Sequence, residues 1–138
     1  MLFRKLYKHE KIAMLAMRYW KFVCKKDTEA ECFERMLFGD TKSFWNEVRD
    51  VRRGDILFLY NLETDVLFGP FIADSDGQLD IEPNAWGSRF PAQVRVRAPA
   101  GIAIINNASV IFKFLRRRSC RLTDDEGRMI LEYTLAHK

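Results

Sequence analysis

The chain has 138 residues, 48% of them apolar and 13% aromatic, with seven glycines and four prolines. That length and composition fit one domain able to bury roughly two thirds of its unfolded surface, and they exclude general disorder. The net charge of +4 conceals a segregation: residues 54 to 88 carry seven acids and no Lys or Arg, and residues 89 to 121 carry eight bases and no acid. Segregation of this kind either makes a basic face suited to phosphates or sets acidic and basic strands side by side, where they neutralise each other. The sequence leaves both open.

Residues 1 to 16 place Leu2, Leu6, Ile12 and Leu15 among scattered bases and read as a basic N-terminal extension, a short helix or an arm, ahead of a folded domain over 17 to 138. Their longest apolar run, IAMLAM, is too short for a spanning helix and is interrupted too early by charge for a secretory signal. The three cysteines, Cys24, Cys32 and Cys120, are odd in number and lack a CxxC spacing, so buried free thiols in a reducing cytoplasm are expected. A cytoplasmic protein with no membrane contact is the resulting expectation.

Along the chain, RYWKFVC has strand-like aromatic and β-branched content. Asp27 or Thr28 can cap a helix bearing Ala30, Phe33, Met36 and Leu37, with Gly39 as its stop, and Thr41 can cap a shorter helix carrying Phe44, Trp45 and Val48. DILFLY and VLFGPFIA, joined by Asn61 to Asp65, read as a hairpin of largely buried strands, with Gly69 and Pro70 marking a bulge or a sheet edge. After the turn at Asp76-Gly77 comes a short strand near Leu79 to Ile81.

FPAQVRVR then alternates, putting Phe90, Ala92, Val94 and Val96 on one face and Gln93, Arg95 and Arg97 on the other. The polar face is either a solvated or ion-paired sheet surface or a row of donors for a ligand. Ile102 to Ile105 can add a strand, Ala108 to Leu115 is helix or strand by pattern alone, and Thr123 with Glu126 forms a capping box for a final helix.

FVCKKDTEAECFERMLFG, followed by GDILFLYNLETDVLFGPFIADSDG, DIEPNAW and FPAQVRVR, resembles the Development and Cell Death (DCD) domain through Phe22 to near Arg97. The resemblance implies a single mixed α/β (α+β) domain of the PUA-like group, a small twisted β-barrel flanked by helices, to which EVE, ASCH and YTH domains also belong. The chain departs from the family pattern in its basic N-terminal segment, in the short link from Trp86 to Phe90, and in a tail lacking the family's usual cysteine and proline-leucine pattern.

Catalytic constellations are missing from the sequence. The two histidines, His9 and His137, lie near the ends of the chain, Cys24 and Cys32 lack an evident base, and no P-loop, GxGxxG or HExxH is present. ADSDGQLDIE groups Asp74, Asp76 and Asp80, but Gly77 stands fourth where an EF-hand loop needs it sixth, so a polar turn is expected and no metal or cofactor. The resemblance, the segregated charge and the aromatics therefore lead to a non-enzymatic binding domain for nucleic acid, either RNA or DNA with RNA favoured, taken as a single strand or an extruded modified base.

In that expectation Arg89, Arg95 and Arg97 meet phosphates, Trp86 with Trp20 or Tyr60 sandwiches a base, and Asn61 or Gln93 reads its polar edge. Trp86 is singled out because turn-rich segments expose rings. RRRSCR, Arg116 to Arg121, is a second basic patch, read as a solvated helix end. The alternative is a protein-protein interaction module in stress or regulatory signalling, and the oligomeric state is left open.

Overall fold

Alternating apolar residues give one strongly curled sheet two cores, one on each face. The structure, a computed structural model, describes residues 17–138; the expected extension over 1 to 16 lies outside the described residues. Among these, the strands are β1 (Tyr19–Cys24), β2 (Leu37–Asp40), β3 (Ile56–Asn61), β4 (Val66–Ala73), β5 (Gln78–Leu79), β6 (Ala92–Arg97), β7 (Ala103–Ile105) and β8 (Arg121–Leu122). The helices are α1 (Glu29–Arg35), α2 (Trp45–Val48), α3 (Ala108–Ile111) and α4 (Asp124–Ala136). The strand order is β2-β6-β4-β3-β1-β8, with β5 added to β6 and β7 to β4; β1 and β3 run parallel and the other pairs antiparallel.

Strands far apart in that order meet across the first core. Phe22 of β1 and Phe38 of β2 have ring centroids 5.9 Å apart, and Phe38 stands edge-on to Phe71 of β4 at 4.8 Å. The sheet thus wraps around Trp20, Phe22, Leu57, Leu59, Val94 and Val96, and α1 covers it with Cys32 and Phe33. Its other face carries Tyr19, Phe58, Tyr60 and Leu67, which pack with Phe112 and with Ile130 and Leu131 of α4. Each fully buried aromatic or aliphatic side chain contributes about 1.5 to 3 kcal/mol of burial.

The hairpin β3–β4 forms as its sequence predicts, and its ladder shifts register between Leu57 and Leu59, the bulge expected near Gly69 and Pro70. β4 is a central strand all the same, flanked by β3 on one side and by β6 and β7 on the other. The first helix is shorter than its pattern suggests. It stops at Arg35, Met36 turns left-handed with φ 48°, and Leu37 to Asp40 extend to pair with β6. A partner far along the chain overrides local helical spacing there.

Ala108 to Leu115, ambiguous by pattern, is the short helix α3 and a 3-10 turn over Lys113–Arg116. Thr123 and Glu126 close the capping box on α4. Thr123→Ala should lower stability by about 1 kcal/mol, read as a shift in the urea midpoint with unchanged slope. No helix among the described residues is long and apolar enough to cross a membrane.

Candidate functional site

The polar face of β6 is committed to the fold at two of its three positions. Gln93 is buried, accepts the Glu82 amide at 2.8 Å and donates to the carbonyls of Glu82 and Phe90, so it pins the chain that leads into β6. Arg95 donates to Glu82 at 2.5 Å and to the Arg35 carbonyl at 2.8 Å, and Arg35 binds the same carboxylate. These two guanidiniums hold the Glu82 carboxyl below its ordinary range. Arg97 lies exposed, 3.6 Å from Asp74. Neutralising pairs between the acidic and basic segments therefore account for Arg95 and Arg97, through Glu82 and Asp74.

The expected base sandwich does not assemble. Trp20 is completely buried with Nε1 donating to Asp55 at 2.9 Å, and Tyr60 is completely buried with its hydroxyl on Asp65. Asn61 accepts the amides of Glu63 and Thr64 and donates to Glu29, fastening the hairpin turn to α1. Trp86 is only 2% exposed, which corrects the expectation that its turn-rich segment leaves the ring open.

The burial of Trp86 has an identifiable cause. Its ring packs on Gly39, where a Cβ would lie 2.6 Å from Cζ3, while its Nε1 donates to the Thr28 carbonyl and its amide to Glu31. The residue holds a left-handed φ of 51°, a conformation costing about 1 to 2 kcal/mol that these contacts enforce.

A different place is open. Beyond the contact of Phe22 with Phe38, the ends of β1 and β2 frame a groove of about 430 Å³. One wall is Val23 to Lys25 with Thr28, the facing wall is Gly39 to Thr41, and the remaining sides are Arg89 with Phe90 and Leu115 to Arg118. Of the residues anticipated as ligand contacts, Arg89 alone lines it, together with Arg116 to Arg118 of the second basic patch.

The groove is basic. Lys25, Arg89, Arg116, Arg117 and Arg118 surround it, against the acids Asp27 and Asp40. Arg117 is held by Glu126 at 2.8 Å, and that pair pushes the Glu126 carboxyl down to about 2. Arg118 reaches Asp40 at 3.1 Å and stacks over Phe44 at 3.5 Å, whereas Arg89 is 3.6 Å from Asp27 and donates to the Trp86 carbonyl. Lys25 and Arg116 have no carboxylate within ion-pair distance among the described residues.

The arginine wall is positioned from below. Lys21 is 2% exposed, and its ammonium donates to the carbonyls of Leu115, at 2.9 Å, and Arg117. RRRSCR thus begins as the exposed end of the 3-10 turn at Arg116, as its sequence suggests, and then bends back to be tied to β1 through Cys120 and Arg121. The alternation of RYWKFVC could have flagged Lys21, since it opposes Trp20 and Phe22 on a strand buried on both faces.

A mixed α/β domain whose sheet curls into a partial barrel, open between β1 and β2, is the PUA-like architecture of the YTH domains. The structure is similar to the YTH domain of Mmi1 in complex with RNA, with a TM-score of 0.68 and 16% identity, covering 88% of this chain and 80% of that one. It is also similar to the Pho92 YTH domain in complex with m6A, with a TM-score of 0.65 and 15% identity, over 85% and 82% of the two chains. In sequence, residues 20–111 match the Development and cell death domain, and the chain belongs to that family. It is 48% identical over 82 residues to the DCD domain-containing protein NRP-B of Glycine max, covering 54% of this chain and 25% of that protein.

Proposed function

We propose that this is a non-enzymatic domain that binds single-stranded nucleic acid, RNA in preference, along the groove between β1 and β2. The observation that carries the reading is the ring of five cations around a cavity of about 430 Å³, on a fold shared with one domain solved in complex with RNA and another in complex with m6A. Lys25 and Arg116, neither in an ion pair among the described residues and Arg116 acting on Asp65 only at longer range, take phosphates first, and Arg89 joins them across the groove. The indoles of Trp20 and Trp86 serve the core and do not stack on bases.

Fluorescence anisotropy of short single-stranded RNA and DNA at two salt concentrations tests this. The double variant Lys25→Ala with Arg116→Ala should reduce the salt slope by about 1.4 units, roughly 0.7 for each phosphate that is no longer neutralised. Arg97→Ala should leave the slope unchanged. A reversed result, with Arg97 setting the slope, would move the site to the face of β6; absence of binding at low salt would remove the reading.

A further inference from the structure

The groove lies where the sheet fails to close, so strand edges as well as side chains face it. Along β1, Arg18 and Cys24 direct their carbonyls to Ile56 and Leu62, on the side of β3, while the Lys21 amide bonds Cys120 on the opposite side. Peptide groups alternate along a strand, so Val23 also turns its N–H and C=O away from β3. The pairing of β1 with β8 covers Tyr19 and Trp20, and the Lys21 bond is the last before the opening.

On β2 the Met36 carbonyl accepts from Val96, which assigns Phe38 and Asp40 to the ladder with β6 and turns Gly39 the other way. β1 and β2 form no ladder with each other. Val23 and Gly39 thus present donor and acceptor pairs from two walls of one cavity, with the Trp86 ring and Phe90 covering the Cα face of Gly39. The side chains best suited to reading a base are committed elsewhere: no buried side-chain polar atom among the described residues lacks a partner, and Asn61 and Gln93 are both satisfied.

We infer that the groove reads one unpaired nucleobase through main-chain groups, with the peptides of Val23 and Gly39 hydrogen-bonding its Watson–Crick edge. This rests on the nucleic-acid reading above and names how that site recognises its ligand. A base edge offers adjacent donors and acceptors in one plane, which the N–H and C=O of a single strand residue match side by side. An extended peptide fits less well. The open edge of β1 amounts to one residue between the Lys21 bond and Lys25, whose amide is taken by Thr28, and strand addition needs a run of such residues. The surrounding cations also suit a phosphate chain.

The experiment titrates the full chain with three hexamers of equal charge: uridine, N3-methyluridine and abasic ribose phosphate. N3-methylation removes the donor on the Watson–Crick edge and leaves the phosphates alone. Uridine should bind about tenfold or more tightly than either of the others, with the same salt slope for all three. Val23→Pro, which deletes the strand-edge N–H at a position where proline is tolerated, should weaken uridine binding by about tenfold and leave the abasic chain unaffected. Equal binding of the three hexamers would overturn base reading while leaving the phosphate site standing. No binding of any hexamer at low salt would overturn both. If Val23→Pro loses its native circular dichroism, the comparison of hexamers decides alone.

Discussion

Gly127→Ala should destabilise the protein by about 3 kcal/mol, seen as a fall in the denaturant midpoint. A Cβ at this position of α4 would stand 2.0 Å from Cγ and 2.3 Å from Cβ of Tyr19, which is 3% exposed and packed in the outer core. Those atoms are the root of the side chain and cannot swing aside, so helix and strand must separate, and overpacking of this kind typically costs about 1 to 3 kcal/mol or somewhat more. The same displacement moves β1, whose far end forms a wall of the groove. Affinity for a single strand should therefore fall together with stability, whereas Thr123→Ala should touch stability alone.

Lys21→Met should abolish a rise in stability of about 3 kcal/mol between pH 8 and 10.5. Burial pushes the Lys21 ammonium down from its ordinary 10.5 to about 8. Between those values the unfolded chain holds a proton that the folded chain has released, so this group makes stability increase with pH; below about 8 both states are protonated and the folded state carries the full cost of the buried charge. Groups of opposite sign act over the alkaline range. Tyr60, raised to about 12 by burial and by Asp65, and Cys120, raised by burial, keep protons in the folded state that the unfolded chain loses. The measurement is consequently the difference between the wild-type and Lys21→Met curves, from urea unfolding at several pH values. A flat difference would mean that the folded-state ammonium keeps its ordinary pKa, as a hydrated amine would. Near neutral pH the variant should change overall stability little, because relief from the buried charge offsets the two carbonyls left without a donor.

The longer strands and the last helix were the legible part of this sequence, because their signals are local. DILFLY and VLFGPFIA are apolar runs bounded by turn residues, and Thr123 with Glu126 spells out a helix start. The end of α1 was not legible. Met36, Leu37 and Gly39 fit a helix and its stop, and only the distant β6 converts them to a strand. The site was hidden for a related reason. Arg95 and Trp86 attract notice because a guanidinium and an indole can each serve a ligand or the fold, and the choice depends on whether Glu82 and Gly39 lie within reach. Those partners are 13 and 47 positions away in the chain, so no window of sequence reveals them. Arg116 to Arg118 were visible as a cluster, but their role depends on Lys21, nearly a hundred residues earlier.

The groove is assembled from two stretches of the chain. Three of its walls, around Val23 to Thr28, Gly39 to Thr41 and Arg89 with Phe90, lie within the matched span 20–111, and the fourth, Leu115 to Arg118, lies beyond it. The shared span sets the shape of the opening and exposes its main-chain edges, while the tail supplies three of the five cations. In the binding proposed above, the base would then be selected by the shared span alone, while the phosphates would be gripped from both stretches of polypeptide. Substitutions at Arg116 to Arg118 should accordingly change how firmly a phosphate chain is held without reshaping the main-chain edges of the opening.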